Sequence, residues 1–194
     1  MKKLLIFCLF IIVYHQANAQ ETKAELEYNI KSVQIGYLNF SLNDETRLTR
    51  KLSLKTSVTF EPYNYRSESF SKGYIVYPYL NLETRWYSNL DRRAEKYKKT
   101  EGNTGNIWSI IATYSPDWIV LTSQESPIKN SLIRIGPNYT IRRTLGKHFD
   151  FEGSAHLEYG YIFQPSKDYS NIPYRGSYFY GGIGVKIGYH FIKK

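Results

Sequence analysis

The segment that most constrains the fold is residues 181–191, where residue character alternates along the chain. The odd-numbered positions read Gly, Ile, Val, Ile, Tyr and Phe, whereas the even-numbered positions read Gly, Gly, Lys, Gly and His. Because successive side chains of a β-strand point to opposite sides, this segment has one apolar face and one polar or side-chain-free face. Such a strand is typical of a barrel wall with lipid on one side and a hydrated interior on the other.

The start of the chain has the organisation of a cleavable export signal. Lys2 and Lys3 precede an apolar run over residues 4–14, and Ala17-Asn18-Ala19 supplies a small-x-small cleavage site. The run is too short for a membrane-spanning helix. We therefore expect a signal peptide over residues 1–19 and a single mature domain over residues 20–194.

The mature chain is basic, aromatic and free of cysteine. Cys8, the single cysteine, lies in the leader, so no disulfide or thiolate chemistry is expected. Without Lys2 and Lys3 the chain keeps 24 basic and 17 acidic side chains, a net charge of +7. In an exported protein this charge indicates anionic lipid head groups rather than nucleic acid. No apolar run approaches the ~18 residues of a spanning helix, so entry into a membrane requires a closed barrel.

Alternating segments recur along the mature chain. Seven are clear, and the first is inferred because an antiparallel barrel with both ends on one side needs an even number of strands. Splitting the fifth segment at Ser115-Pro116-Asp117 would leave halves shorter than a spanning strand of ~9–11 residues. We therefore predict an all-β fold, an eight-stranded antiparallel up-and-down transmembrane β-barrel. The segments are 22–30, 33–42, 51–61, 74–87, 107–121, 131–143, 148–162 and 181–191.

A periplasmic C-terminus sets the direction of every connection. The predicted outward loops are 63–72, 122–130 and 164–173. The predicted inner connections are 43–50, 144–147 and the long connector 88–106. The tyrosines in or near the outward loops are candidate surface-contact residues, namely Tyr63, Tyr65, Tyr169 and Tyr174.

Charged side chains fall on the inward face of the predicted strands. An acidic strand, 148–162, lies between two basic ones, so cross-strand ion pairs are expected inside the barrel. An eight-stranded barrel is only wide enough for side chains to fill it, so we predict a polar plug rather than a conducting pore. The predicted lumen network comprises Glu25, Glu27, Lys55, Glu61, Glu83, Arg85, Arg134, Arg142, Asp150, Glu152, His156, Glu158, Lys186 and His190.

Two chemical alternatives to a plug are disfavoured by spacing. His156, Glu158 and His190 match no standard metal-ligand pattern, so we expect neither a metal site nor a cofactor. Ser154 and His156 share a strand face but lie roughly 6.6–7 Å apart by strand rise, too far for a direct hydrogen bond. His148 has no serine marked out beside it in the sequence. We therefore expect no catalytic residues.

The connector 88–106 carries the strongest local concentration of positive charge. Ser88 is a candidate cap for a short helix, with Asp91 in its first turn and Glu95 spaced to pair with a following lysine. A solvated connector is the simpler interpretation, and contact with lipid phosphates or an anionic periplasmic partner is the functional one. The basic residues are Arg92, Arg93, Lys96, Lys98 and Lys99.

Aromatic residues near strand ends are candidate anchors at a membrane–water boundary. Such rings combine an apolar body with a polar tip and are enriched at that boundary. Trp86 and Trp108 flank the basic connector, and the last strand ends on aromatic positions. The predicted anchors are Trp86, Trp108, Tyr189 and Phe191.

Several short motifs resemble a family of small outer-membrane β-barrel proteins of Bacteroidota, with an OmpA/OmpX-like eight-stranded architecture. They are Arg85-Trp86-Tyr87-Ser88-Asn89-Leu90 with Arg92-Arg93, Gly105-Asn106, Ile141-Arg142-Arg143 and Gly146-Lys147-His148-Phe149. The resemblance implies a barrel in the outer membrane of a Gram-negative cell. It implies no activity, so no catalytic residue is carried over.

These patterns predict an integral, non-enzymatic outer-membrane barrel with an envelope-structural or surface-ligand role. Its expected partners are outer-membrane lipid and lipopolysaccharide, the barrel-assembly machinery during biogenesis, and a surface or periplasmic ligand. One alternative is a lipid-modifying barrel enzyme, a lipid A or phospholipid acyl hydrolase or transferase. The other is a secreted soluble, lipocalin-like barrel whose apolar face lines an internal cavity.

Overall fold

A computed structural model describes residues 24–67, 70–117, 119, 121–122, 131–163 and 176–191, without side chains over 63–74. The predicted signal peptide, Tyr169 and Tyr174 lie outside the described residues. So do loop 164–173 and nearly all of loop 122–130. Tyr63 and Tyr65 lie on a described strand, but their side chains are outside the description.

The described residues form nine β-strands, one short α-helix and one 3-10 turn. The strands are β1 (Asn29–Gly36), β2 (Phe40–Arg47), β3 (Leu52–Ser67), β4 (Phe70–Tyr87), β5 (Gly105–Ser115), β6 (Leu121–Thr122), β7 (Leu132–Leu145), β8 (Phe149–Ile162) and β9 (Gly176–Phe191). Between β4 and β5 lie helix α1 (Leu90–Glu95) and the 3-10 turn Glu101–Asn103.

The eight long strands form one closed antiparallel β-barrel, which confirms the predicted fold class. Each strand pairs with its neighbour in sequence, β5 pairs with β7, and β9 pairs back with β1. The two-residue β6 adds only a short pairing to β4. Closure leaves no exposed sheet edge among these eight strands.

The barrel is strongly staggered. A row of paired residues that starts at Val33 and passes once through all eight strands reaches Ser177 on β9. The direct partner of Val33 on β9 is Tyr189, twelve residues further along. Stagger of this kind accompanies the strand tilt that lets a sheet close on itself.

The two ends of the barrel differ in their connections. The terminal end carries the start of β1, the end of β9, the turns 48–51 and 146–148, and the connector 88–104. The loop end carries the turn 37–39 and the connections from β3 to β4, β5 to β7 and β8 to β9.

The apolar residues of the alternating strands face outward. Ile133, Ile135, Val185 and Ile187 are exposed on the barrel exterior, whereas polar residues of the same strands point inward and are buried. The alternative in which the apolar face lines an internal cavity is therefore wrong. Because a strand has a period of two, the sequence alternation translates directly into an apolar outside and a polar inside.

The predicted N-terminal strand boundaries are wrong. The strand predicted over 22–30 starts at Asn29, and the segment predicted over 33–42 is broken at 37–39, where the Gly36 N–H donates to the Asn39 carbonyl at 2.7 Å. The predicted turn 43–50 is largely β2, whose sequence FSLNDETR ends in polar residues on both faces. Cross-strand pairing to β1 and β3 keeps it extended.

Two other predicted boundaries also change. The predicted outward loop 63–72 is mostly strand, because β3 continues to Ser67 and β4 begins at Phe70. The predicted strand 107–121 ends at Ser115, immediately before Pro116, whose missing N–H cannot continue the ladder.

One close approach between strands requires glycine. A Cβ on Gly136 would lie 2.0 Å from the Leu157 carbonyl oxygen and 2.6 Å from the Glu158 Cα. These are backbone atoms of β8, so β7 would have to move away from its neighbour to accommodate a side chain. At Gly153, by contrast, an added Cβ would meet only Phe151 Cε1, at 3.7 Å.

We expect Gly136→Ala to lower the free energy of unfolding by about 1–3 kcal/mol, as overpacking typically does. Gly153→Ala is the control, with an expected change of about 0.5 kcal/mol or less in magnitude for a site that accepts a methyl group. Urea titration of the refolded protein in detergent micelles measures both. Equal stability of the two variants would contradict the close approach of β7 and β8.

Candidate functional site

The interior of the terminal half is filled by a buried ion-pair cluster centred on Arg142. Its guanidinium lies 2.8 Å from the Glu45 carboxylate, 2.5 Å from Glu152 and 3.3 Å from Asp150. Nη1 also donates to the Tyr87 hydroxyl at 3.2 Å. Only 2% of the Arg142 side chain is exposed. One cation therefore holds together carboxylates from β2 and β8 across the barrel.

A second arginine extends the cluster to β4. Arg85 Nε donates to Glu83 at 2.8 Å, and Nη1 lies 3.0 Å from Glu152 and 3.5 Å from Glu45. Lys55 donates to the Gln34 side-chain carbonyl at 2.9 Å and lies 3.6 Å from Glu152. Positive and negative groups thus alternate through the lumen.

Neutral donors add hydrogen bonds to two of the carboxylates, Glu45 and Glu83. The hydroxyls of Ser53 and Tyr87 donate to Glu45 at 2.6 and 2.5 Å. Ser109 and Asn138 donate to Glu83 at 2.6 and 2.9 Å. Buried charges are tolerated only when partners and hydrogen bonds offset their desolvation. The cluster gives every carboxylate an ionic partner and gives all but Asp150 hydrogen bonds as well; the Asp150 oxygens lie 3.3 Å from Arg142 and 3.4 Å from His190 without a hydrogen bond. We call these residues the plug; they are Gln34, Glu45, Ser53, Lys55, Glu83, Arg85, Tyr87, Ser109, Asn138, Arg142, Asp150 and Glu152.

Above the plug, the loop half of the barrel encloses a cavity of about 640 Å³. Its lining runs from plug residues Glu83, Arg85 and Glu152 to the 37–39 turn at the loop end. Arg134 crosses it, 3.2 Å from Glu158 and 4.4 Å above the Tyr180 ring. The interior is therefore closed by paired charges in one half and hollow in the other.

The structure brings most of the predicted lumen residues inside the barrel. Buried among the described residues are Lys55, Glu83, Arg85, Arg142, Asp150, Glu152, Glu158 and His190. Lining the cavity are Glu61, Arg134, His156 and Lys186. The predicted alternation of acidic β8 between basic strands is visible in the direct register of Glu152 with Arg142 on one side and Lys186 on the other.

Glu25 and Glu27 are the exceptions, because both precede β1. The Glu25 side chain is 59% exposed and pairs with Arg47 at 2.5 Å. The Glu27 carboxylate accepts from the Gly102 N–H at 2.5 Å, outside the lumen. Their assignment to the lumen network is corrected: they lie at the terminal end, where the chain has not yet entered the barrel.

Sequence reasoning missed Glu45, the carboxylate that both arginines share. It lies in β2, which reads as a turn because polar residues occupy both faces near its end. The signal that would have found it is the β2–β3 register, in which Glu45 lies opposite Lys55. Placing the turn at 48–51 gives this pairing.

The histidines considered for a metal or catalytic site do not come together with the partners that such a site needs. His156 lies 3.9 Å from Glu158, but His190 neighbours Asp150 at 3.4 Å. His156 pairs with Gly182, eight residues before His190 on β9, so the two histidines are roughly 26 Å apart along the strand. Over the described ranges no group of three metal-ligating side chains is found, and no histidine–serine hydrogen bond occurs.

The basic connector forms a short helix that hydrogen bonds and ion pairs attach to the barrel. The N-cap is Asn89 rather than the predicted Ser88, whose hydroxyl donates to the Asn106 carbonyl at 3.2 Å. Asp91 binds Arg50 and lies 2.5 Å from Lys51. The hydrogen bond from Arg50 lowers the pKa of Asp91 to about 2 and raises that of Arg50.

A small apolar cluster lies under this helix and closes the terminal end. Leu90 packs with Leu26, Tyr87 and Ile107, and all four side chains are almost fully buried. In the described part of the chain, Glu95 forms no ion pair with Lys98 or Lys99, contrary to the spacing argument. The helix is therefore held by its buried leucine and by Asp91.

The predicted anchor residues lie on the outer surface near the terminal end. Trp86 and Trp108 are half-exposed and lie opposite each other on β4 and β5. The Trp108 ring is 4.7 Å from Tyr139, and Tyr189 contacts Phe149 and Phe191 with centroids 5.3 and 5.5 Å apart. These rings form an aromatic rim at the terminal end, on β4, β5, β7, β8 and β9.

No protein-family model, curated protein or solved structure matches this chain. Within the described ranges no helix is long and apolar enough to cross a membrane.

We expect Arg142→Met to destabilise the protein by about 3–5 kcal/mol, because it removes a cation from three buried carboxylates and leaves Arg85 as the one arginine paired with Glu45 and Glu152. Arg47→Met is the control: the side chains of its pair with Glu25 are 29% and 59% exposed, and solvent-exposed pairs contribute about 0.2–1 kcal/mol. It also removes one hydrogen bond to the Leu26 carbonyl, at 2.9 Å, which contributes about 0.5–1.5 kcal/mol. Urea unfolding in micelles measures the difference. A penalty for Arg142→Met no larger than the control value would show that the plug does not stabilise the fold.

Proposed function

We propose that the protein is an integral outer-membrane β-barrel of a Gram-negative bacterium, exported by its cleavable leader and non-enzymatic. The observation that carries the proposal is a closed barrel whose exterior is apolar and whose interior holds paired charges. This is the reverse of a water-soluble domain, in which apolar side chains are buried.

The apolar exterior is too extensive for a monomer in water. Among the described side chains, large apolar residues are exposed on seven of the eight long strands, and the outward Leu52, Leu54, Val58 and Phe60 of β3 are partly exposed. Soluble monomers rarely expose contiguous apolar patches above a few hundred Å², and larger ones indicate membrane or protein contact. Because the exposed residues run around a closed barrel rather than over one face, acyl chains are the solvent that fits them.

The aromatic rim supports a particular position of the barrel relative to the membrane surface. Rings of Trp and Tyr are enriched where hydrocarbon meets water, and outward-facing rings here lie near both ends of the barrel. Phe40 with Phe60 and Tyr159 with Phe179 lie toward the loop end. The rings of Trp108, Tyr139, Phe149 and Tyr189 lie at the terminal end. The charged connector lies just beyond them. We propose that this rim marks the periplasmic boundary, with the loop end and its cavity facing outward.

The plug favours a structural role, or a role in binding a surface ligand, over a role in transport through the lumen. Charged side chains cross-link the strands through the terminal half of the lumen, so we propose that the barrel does not conduct like a porin. The proposed partners remain outer-membrane lipid and lipopolysaccharide, the assembly machinery during biogenesis, and a ligand at the outer surface. We also propose membership of the small Bacteroidota outer-membrane barrel family that the motifs resemble.

Cell fractionation combined with gel migration tests this proposal. We expect the protein in the outer-membrane fraction, and we expect its band to shift when the sample is boiled, because a folded membrane barrel resists detergent. Recovery as a monodisperse solute in a detergent-free periplasmic or culture fraction would refute it.

A pair of arginine substitutions on β7 tests the membrane depth directly. Ile135 and Leu145 face outward and are each 53% exposed. Leu145 is the last residue of β7, at the terminal end, whereas Ile135 lies four residues beyond Tyr139 of the aromatic rim, on the side away from the terminal end. In a bilayer we expect Ile135→Arg to cost about 2–4 kcal/mol and Leu145→Arg about 0–1 kcal/mol, because the penalty depends on depth.

Urea titration of protein folded into phospholipid vesicles provides the measurement. If both positions faced water, each substitution would change stability by about 0.5 kcal/mol or less. Equal effects at Ile135 and Leu145 would therefore contradict the proposed placement of β7 in the hydrocarbon layer.

A further inference from the structure

A second cavity, of about 450 Å³, lies at the terminal end beside helix α1. Five of its eight lining residues are basic, and none is acidic. Its lining residues are Ser88, Asn89, Arg92, Arg93, Lys96, Lys98, Asn106 and Arg143. They come from the connector and from the ends of β5 and β7, so the site depends on the folded barrel end.

The two arginines nearest the barrel are held in place by neutral acceptors. Arg93 donates twice to the Lys99 carbonyl, at 3.0 and 2.8 Å. Arg143 donates to the Gly105 carbonyl at 3.0 Å and to Asn106 Oδ1 at 2.8 Å. Over the described residues neither guanidinium pairs with a carboxylate, so both are positioned while their charge stays uncompensated.

The two arginines also repel one another. Burial, together with the nearby Arg143 guanidinium, lowers the pKa of Arg93 from its usual value. An anion between them would relieve this repulsion. It would also accept hydrogen bonds from the guanidinium N–H groups that do not already bind a protein acceptor. Guanidinium groups suit phosphate especially well, because their planar donors match its oxygens.

The connector's own acidic residues do not neutralise the cavity. Asp91 faces the barrel turn, where Arg50 and Lys51 bind it. Glu95 is exposed and is not among the cavity-lining residues. Asp91 is thus turned away from the basic cavity, and Glu95 does not line it.

The surroundings of the cavity favour a lipid as the source of the anion. Asn106 Nδ2 donates to the Tyr139 hydroxyl at 2.8 Å, and the Tyr139 ring packs against Trp108 in the aromatic rim. Tyr97, between two of the connector lysines, is 99% exposed. Exposed rings next to basic side chains are typical of the interface between head groups and hydrocarbon.

We propose that this cavity binds the phosphate of an anionic membrane-lipid head group, with Arg93 and Arg143 contacting the phosphate and Arg92, Lys96 and Lys98 adding positive field. The inference rests on the proposed membrane location. It adds a specific lipid site to the general apolar contact around the barrel, and it ties the terminal end to the membrane surface.

Native mass spectrometry of the full mature protein in detergent tests the site, with phosphatidylglycerol and phosphatidylcholine as probes. We expect a preference for phosphatidylglycerol, reduced roughly tenfold or more in Arg93→Gln/Arg143→Gln, since each basic group near an anionic surface contributes about 1 kcal/mol. The control Lys31→Gln/Lys147→Gln removes the same charge at the same end, outside the cavity, and should keep the preference.

Three results would overturn the proposal. The first is an equal loss in the two double variants, which would indicate general electrostatic attraction. The second is no lipid preference in the unmodified protein. The third is release of the lipid by low-millimolar inorganic phosphate, which would assign the cavity to the free anion.

The boiling-dependent gel shift of each variant separates this test from that of the proposed function. A variant that keeps the shift but loses lipid preference supports the site. Should Arg93→Gln/Arg143→Gln fail to fold, Lys96→Gln/Lys98→Gln serves instead, because both lysines are exposed and make no described ion pair. That variant should lose preference in the same direction.

Discussion

The interaction on which the rest of the structure depends is the cross-barrel pairing of Arg142 and Arg85 with Glu45 and Glu152. Arg142 and Glu45 are 97 residues apart in the chain, yet they meet at 2.8 Å in the lumen. Each carboxylate is shared by both arginines, so the pairs link β2, β4, β7 and β8 across the barrel rather than only along its wall. This cluster fills the space that a hydrophobic core fills in a soluble domain.

Because the charged side chains of the alternating strands point inward, the apolar side chains point outward. The inward charges also fill one half of the lumen and not the other. The terminal half is closed by the plug and by the apolar cluster around Leu90, whereas the loop half keeps a cavity lined by charges of both signs. A barrel built this way suits a rigid membrane-embedded body with one concave end. The uncompensated cations of the connector then lie outside the plug, where they are available to an external anion.

Local alternation accounts for most of what could be predicted of the fold. In β7, β8 and β9 the apolar and polar positions alternate, and the inward orientation of Arg142, Glu152 and Lys186 follows from their parity. The alternation breaks down in β2, where polar residues on both faces near Arg47 resemble a turn. For this reason the predicted first two strands differ from β1 and β2, and Glu25 and Glu27 lie outside the lumen.

The sequence by itself determined the all-β class, the closed antiparallel barrel and the polar character of its interior, because a period of two is a local property that each strand displays independently. Only the tertiary structure decided which charges meet. Glu45 reaches Arg142 through the twelve-residue stagger, which accumulates over eight strand pairings and is carried by no single segment. The separation of Asp91 from the basic cavity is likewise decided in three dimensions, because it depends on where turn 48–51 meets the helix.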